Sequence, residues 1–218
     1  MAYSDFTIEK IKTTFGLTIV ESVVLFTDIS KVKPSALLTE WLFEYAPLAT
    51  AINTEKARSE FLIAPILAEV RKQLKGEVAL FSGVDFNVDV AAGLSGFCDY
   101  LISGSPEQLY VDAPVVTVVE VPQSLEVTSS ACGGPGSPAK NENIKTGLGQ
   151  CIAEMVAAQL FNKQRNRSIQ KIYGTVTTGQ VWKFLKLEEN KVTVDINDYY
   201  INDVEQILGI FVAVLSGN

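Results

Sequence analysis

The feature that most limits the fold of this chain is a run of mostly apolar, β-branched residues that ends in a carboxylate. The run reads VVTVV at 115–119 and is followed by Glu120. A short apolar run of this kind predicts a central strand that is buried on both faces. A carboxylate at the end of such a strand is buried, and burying its charge costs free energy unless it is paired or bound to a metal. The run therefore predicts a sheet with an acidic site at the end of an inner strand.

The segment after this run differs in composition from its surroundings. Residues 121–138 read VPQSLEVTSSACGGPGSP, which is rich in proline, glycine and serine and nearly free of charge. This composition predicts an exposed inserted loop, and closing a flexible loop of this length costs only about 2.6 kcal/mol. Without the insertion, Lys140 would follow Glu120 by two positions, so the chain carries an interrupted Glu-x-Lys sequence.

Two conformations of Lys140 are open at this point. If the loop is extruded, residues 139–140 continue the strand and the lysine shares a face with Glu120. If the strand ends at Glu120, Lys140 begins the next loop and reaches the site only from there. Pro122 stands where the lysine belongs when the chain is read without a gap. Proline lacks the N–H that a central strand needs, which favours the second conformation.

The rest of the chain alternates between helical and extended patterns. Periodic apolar residues predict helices at 5–14, 34–52, 54–74, 146–162 and 202–215, with a kink at Pro65 or a break after Ser59. Short apolar or alternating runs predict strands or strand pieces at 17–27, 78–81, 84–90, 96–103, 114–120, 171–177, 181–187 and 191–196. This order indicates an α/β fold with a mixed central sheet flanked by helices. We expect one domain, made of an extension (1–53), a core (54–196) and a C-terminal helix (197–218).

Composition excludes several classes of site. The chain has 218 residues, of which 47% are hydrophobic, and this suffices for one core. It contains no histidine, which excludes Ser-His and Cys-His catalysis and histidine-bound metals. Its three cysteines form neither a zinc motif nor a disulfide framework. The sequence shows no signal-peptide pattern and no run long enough to span a bilayer, which predicts a cytoplasmic protein without membrane contact.

The charge of the chain limits what it binds. Its formal net charge is −7, which argues against a broadly basic nucleic-acid surface. One basic cluster stands out, formed by Lys163, Arg165, Arg167 and Lys171. It has two interpretations: a set of phosphate contacts, or a solvated helix end whose cations complement the helix dipole.

Residues 54–196 resemble the PD-(D/E)XK nuclease superfamily, the restriction-endonuclease-like fold, and its small bacterial members most closely. The residues that carry the resemblance are Glu60 in the helix before the sheet, Asp99 in GFCDYLIS, Glu120 in VVTVVE, Lys140 in AKNEN and Gln150 in GLGQCIAEMVAAQ. The resemblance implies an αβββαβ core and hydrolysis of DNA phosphodiesters with Mg²⁺, or with Mn²⁺ in its place. It also implies that Asp99, Glu120 and Glu60 serve the metal, that Lys140 orients or activates the water, and that Gln150 supports the site.

The chemistry of such a site follows from its residue types. Side chains at i and i+2 of a strand share a face and lie about 6–7 Å apart, so Glu-x-Lys directs a carboxylate and an ammonium into one pocket. Mg²⁺ prefers oxygen ligands and takes one or two carboxylates together with waters and a substrate phosphate. The metal generates hydroxide, and the ammonium stabilises charge that develops on the phosphate.

Each candidate residue also has an ordinary structural interpretation. Asp99 can belong to a strand end or a turn, and Lys140 can be a surface lysine. Glu60 and Gln150 can be polar positions on helices. A second function therefore stands beside the nuclease: a catalytically inactive interaction module on the same fold. The apolar C-terminal segment 207–215 belongs to the core in one interpretation and to a homodimer contact in the other.

Overall fold

The sheet at the centre of the protein is mixed, as the sequence predicts. A computed structural model describes residues 1–122, 139–167 and 169–217, with the backbone alone at 139–143. In these residues the strands are β1 (Thr18–Val23), β2 (Ala79–Asp85), β3 (Phe97–Ser103), β4 (Val115–Glu120), β5 (Lys171–Thr177), β6 (Val181–Glu188), β7 (Lys191–Asp195) and β8 (Tyr199–Tyr200). Their order across the sheet is β1-β7-β6-β5-β4-β3-β2, and β8 pairs with β6 beside this path.

Helices cover both faces of this sheet. They are α1 (Ile8–Phe15), α2 (Ala36–Ile52), α3 (Glu55–Arg58), α4 (Ala64–Gln73), α5 (Ala139–Gln164) and α6 (Val204–Ser216). One apolar core lies under α1 and α5, and a second lies under α2, α4 and α6. Ile207, Leu208, Ile210 and Phe211 of α6 are all buried in the second core. The C-terminal helix thus belongs to the protein's own core. None of these helices is long and apolar enough to cross a membrane.

The strands that carry the acidic candidates are neighbours. β2, β3 and β4 pair in antiparallel order, and α5 then returns the chain so that β5 lies parallel to β4. Every residue of β4 is buried, because Val118 contacts one core and Val119 the other. The prediction of a central strand at this place is therefore confirmed.

The first fifty residues are part of this architecture and not an appendage to it. β1 pairs with β7 in parallel, with Thr18 opposite Lys191. Ile11 of α1 is fully buried in one core, and Leu38 of α2 is buried in the other. The N-terminal segment therefore contributes one edge strand and part of each covering layer.

The opposite edge strand, β2, has a side chain bound along its free side. The side-chain amide of Gln108 donates to the Leu80 carbonyl oxygen at 2.7 Å, and its oxygen accepts from the Leu80 N–H at 3.3 Å. Backbone groups on a sheet edge otherwise need water or another chain as partners. Gln108 thus substitutes for a neighbouring strand at this one residue.

The long helix predicted at 54–74 is interrupted where its proline requires it. A π-helical turn, Ser59–Ile63, separates α3 from α4, and Pro65 lies in the first turn of α4. Proline has no N–H to donate to the carbonyl four residues earlier. That carbonyl belongs to Phe61, and it accepts a hydrogen bond from Trp41 Nε1 of α2 at 2.9 Å instead. The helical backbone therefore does not break after Ser59 but continues through a π-helical turn, and a side chain from α2 satisfies the group that the proline leaves open.

Glu69 of α4 joins that helix to the start of α2. Its carboxylate accepts hydrogen bonds from the Ser35 N–H at 3.0 Å, from Ser35 Oγ at 2.7 Å and from Gln73 Nε2 at 2.8 Å. Burial by itself raises the pKa of Glu69, but the hydrogen bonds from Ser35 and Gln73 outweigh it and hold the pKa below its ordinary value. The charged form is therefore the one that the fold stabilises.

Glu69→Gln is expected to lower the free energy of unfolding at pH 7 by about 1.5–3 kcal/mol, the range for hydrogen bonds to charged groups. Because the folded-state pKa is depressed, this stabilisation is present above the unfolded value near 4.5 and is lost as the pH falls through the folded value. Urea unfolding of both proteins from pH 7 to pH 3 measures the difference. Glu40→Gln, at an exposed position of α2, is the matched control. A difference that stayed constant down to pH 3 would contradict this account.

Candidate functional site

Asp99 and Glu120 meet at one end of the sheet. Asp99 is the third residue of β3, and Glu120 is the last residue of β4. The antiparallel register pairs Tyr100 with Val119, so Asp99 lies opposite Glu120 one step further on the same face. Both line a cavity of about 420 Å³, whose other walls are Ser4, Glu55, Val121, Pro122, Thr146, Gly147 and Gln150. The structure thus brings together three of the residues singled out in the sequence.

Asp99 is held by the backbone that leaves β4. Its Oδ2 atom accepts a hydrogen bond from the Val121 N–H at 2.8 Å. Burial raises the pKa of Asp99 to about 6; the Val121 N–H opposes this rise, and the Glu55 carboxylate adds to it. The Asp99 carboxyl is therefore one whose charged form a nearby cation would stabilise.

Glu120 is buried and bound by a helix side chain. Gln150 Nε2 of α5 donates a hydrogen bond to Glu120 Oε2 at 2.8 Å. Burial raises the pKa of Glu120 well above its ordinary value, and the neighbouring carboxylates of Glu154 and Asp99 raise it further. Mutual repulsion among the three acids is the physical cause of the last effect.

Glu154 is the acid that sequence reasoning missed. It is fully buried on α5, and its Oε1 atom lies 3.2 Å from Gln150 Nε2. Burial raises its pKa to about 8; the hydrogen bond from Gln150 opposes this rise, and the Asp99 carboxylate adds to it. A signal was available, because Glu154 stands in the apolar sequence CIAEMVAA, four residues after Gln150 and thus on the same side of the helix.

Glu60 does not reach the cavity. Its side chain is 57% exposed and lies 3.6 Å from Lys56 Nζ, in an ion pair on the helix surface. Of the two acids, the one that lines the cavity is Glu55, five positions earlier in α3. Five residues correspond to a rotation of about 140° around a helix axis, so the two carboxylates point in different directions.

The strand ends at Glu120, as the second conformation has it, but Lys140 lies in a helix and neither continues the strand nor begins a loop. The backbone of α5 begins at Ala139, and the helix includes Lys140 in its first turn. Alanine, lysine and glutamate in the sequence AKNEN favour helix, which explains why α5 starts before the predicted residue 146. The Lys140 side chain lies outside the described residues. The predicted exposed loop also lies outside them, except for Val121 and Pro122, which are buried.

Pro122 occupies the cavity wall where an uninterrupted Glu-x-Lys would place its lysine. The buried Arg58 of α3 donates from its guanidinium to the Pro122 carbonyl oxygen at 3.3 Å and to the Asn53 carbonyl oxygen at 2.9 Å. Pro122, the second residue after β4, is thereby held against the helix that carries Glu55. The walls formed by described residues contain no lysine or arginine.

The basic cluster lies at the other end of the sheet. Lys163, Arg165 and Arg167 are exposed around the C-terminal end of α5, and Lys171 is partly exposed at the start of β5. The neighbouring Asn162 binds both the N–H and the carbonyl oxygen of Val115 at 2.7 Å. Val115 and Glu120 are the two ends of β4, about 17 Å apart at the rise of a strand. The cluster and the acidic cavity are therefore separated by the length of β4.

The donor set of the cavity suits a hard cation. Asp99 and Glu120 offer carboxylate oxygens from adjacent strands, and a Mg²⁺ site needs only one or two carboxylates beside water and phosphate. Among the described side chains, no group of three or more acidic or cysteine residues is arranged to hold a metal ion. The geometry therefore fits a two-carboxylate site that is completed by solvent or substrate.

Comparison with protein-family models, with curated proteins and with solved structures gives no match to this chain. The residues themselves are thus the basis for any assignment of function.

Proposed function

We propose that the protein is a divalent-cation-dependent phosphodiester hydrolase of nuclease type that acts on DNA, built on the PD-(D/E)XK plan. The observation that carries the proposal is the single cavity lined by Asp99, Glu120 and Gln150. The order of elements supports it, because α4, β2, β3, β4, α5 and β5 follow one another as helix, three strands, helix and strand. This is the αβββαβ order that the resemblance implies.

In this proposal, side chains that line the cavity bind a divalent cation, and neighbouring groups orient them. Asp99 and Glu120 hold Mg²⁺ or Mn²⁺, with Glu55 taking the place that the sequence assigned to Glu60. When bound, the cation supplies an activated water and neutralises charge on the phosphate. The Val121 N–H orients the Asp99 carboxylate, and the amide of Gln150 orients that of Glu120.

Lys140 keeps its proposed role, but from the helix and not from the strand. Its backbone stands two turns before Gly147, about 10 Å along the axis, on the side of α5 that faces the cavity. The basic cluster contacts DNA phosphates away from the cleaved bond. The 17 Å length of β4 corresponds to about five base pairs at 3.4 Å per base pair.

A plasmid-nicking assay tests this function. We expect the full chain to nick supercoiled DNA with Mn²⁺ or Mg²⁺ and to lose this activity in excess chelator. A shortened variant without residues 125–136 should nick as well, because it keeps Val121 and Pro122, which bind Asp99 and Arg58. If both proteins are folded by circular dichroism and neither one nicks DNA, the proposal is wrong.

The inactive interaction module is the second candidate function. Two observations favour it: the described walls of the cavity carry no basic side chain, and α2 exposes large apolar residues, with Leu37 69% and Phe43 83% exposed. Equilibrium dialysis against Mn²⁺ separates the two functions. A folded chain that binds neither Mn²⁺ nor DNA would favour the module.

A further inference from the structure

We infer that Glu154 is a positioning residue for Glu120, which it holds by a hydrogen bond between the two carboxyl groups and through the side-chain amide of Gln150. The inference rests on the proposed function, because it assigns Glu154 a part in preparing the cation site. Glu154 does not line the cavity, so it lies behind the residues that would contact cation or substrate.

The geometry of one amide group carries the inference. Gln150 Nε2 has two hydrogens and two acceptors, Glu120 Oε2 at 2.8 Å and Glu154 Oε1 at 3.2 Å. With both hydrogens engaged, the amide nitrogen must face the carboxyl groups. The acceptor oxygens of Glu120 already disfavour a rotated amide that would turn its oxygen toward them, and Glu154 Oε1 adds a second acceptor on the same side. Glu154 therefore reinforces the orientation in which Gln150 binds Glu120.

The burial of Glu154 indicates that it does more than fill the core. It is fully buried between Ala153 and Met155, which are buried as well. Its carboxyl group shares a hydrogen bond with that of Glu120 and accepts another from Gln150. A buried polar side chain costs free energy unless it is hydrogen-bonded, and an apolar side chain at this position would avoid that cost. These two hydrogen bonds are the interactions that an apolar residue could not make.

Two variants separate positioning from direct ligation of the cation. Glu154→Gln removes the charge and keeps an acceptor oxygen for Gln150, whereas Glu154→Met keeps the length and removes the acceptor. If Glu154 binds the cation itself, both variants should lose Mn²⁺ affinity. If Glu154 is a positioning residue, only Glu154→Met should lose it.

The experiment measures Mn²⁺ affinity by calorimetry and the Gln150 side-chain amide by ¹⁵N correlation spectra of the metal-free protein. We expect Glu154→Met to weaken Mn²⁺ binding about 10–100-fold, the range for residues that orient metal ligands, and to shift the Gln150 amide signals. Glu154→Gln should bind Mn²⁺ within about threefold of the unaltered protein. Because Glu154 and Gln150 hold the same Glu120 carboxyl group and contact each other, the loss in Gln150→Ala combined with Glu154→Met should be smaller than the sum of the two single losses.

Several results would overturn the inference. Unchanged Mn²⁺ affinity in Glu154→Met, equal losses in both Glu154 variants, or additive losses in the double variant would each do so while leaving the proposed function intact. Failure of the unaltered protein to bind Mn²⁺ would overturn the proposed function and this inference together. Glu154→Leu replaces Glu154→Met if the spectra show that the latter is unfolded, and Glu60→Gln is the control for a lost surface carboxylate.

Discussion

Glu120→Gln is expected to lower the rate of Mn²⁺-dependent DNA cleavage on the order of 1000-fold, with the fold unchanged. The substitution keeps the size of the side chain and the acceptor for Gln150, but it removes the negative charge that a hard cation needs. Loss of a single group that stabilises the transition state costs about 100–1000-fold in other enzymes, and loss of a metal carboxylate belongs at the upper end. Initial rates of plasmid nicking across a Mn²⁺ titration measure the effect.

The matched control is Glu60→Gln, which removes the same charge from a helix surface outside the cavity. Its rate should stay within about twofold of the unaltered protein, since exposed ion pairs contribute little. Glu55→Gln should fall between the two, because Glu55 lines the cavity but comes from a helix and not from the paired strands. Equal rates for Glu120→Gln and Glu60→Gln would exclude Glu120 from the reaction.

Glu154→Gln is expected to stabilise the metal-free protein at alkaline pH by roughly 2–5 kcal/mol. Burial raises the pKa of Glu154 to about 8, from an ordinary value of 4.5, so the folded state binds this proton more tightly than the unfolded state does. The contribution of protonated Glu154 to the free energy of unfolding is therefore fully present below pH 4.5, and it is lost as the pH rises toward 8. Glutamine carries no charge at any of these values, so the variant should lose less stability over that range.

Urea unfolding in chelator at several values from pH 5 to pH 9 checks this expectation. The groups that interact electrostatically with Glu154 are the carboxyls of Glu120 and Asp99, the thiols of Cys98 and Cys151 and the Tyr3 hydroxyl. Glu120 and Asp99 also have raised pKa values, so the variant should keep a reduced dependence on pH. Parallel curves for the two proteins would mean that Glu154 does not titrate in this range.

Much of the fold could be predicted from the sequence, because most strands are short apolar runs. The run at 171–177 is bounded by turn residues and coincides with β5, and 114–120 differs from β4 by one residue. The pairing of β1 with β7 was not readable, because parallel pairing of segments far apart leaves no local pattern. For this reason the first fifty residues looked like an extension, although they supply a strand of the sheet.

The candidate site could be predicted only in part, because the sequence does not show which side of a helix faces the cavity. Asp99 and Glu120 sit on strands, where alternation fixes the face, and the structure places them in one cavity. Glu60 and Glu55 sit on a helix interrupted by a π-helical turn, and a single sequence does not show which of them faces inward. Glu154 could have been found by the rule applied to Glu120, namely that an acid within an apolar run needs a partner.

The amide of Gln108 on the edge strand has a consequence for how the molecule behaves in a crowded solution. Strands from two molecules can add to one another only where backbone donors and acceptors are unoccupied. At Leu80 these groups are already bound, so a second molecule would have to displace the glutamine before it could join there. Edge-to-edge pairing of two molecules is thereby hindered at this one position of β2.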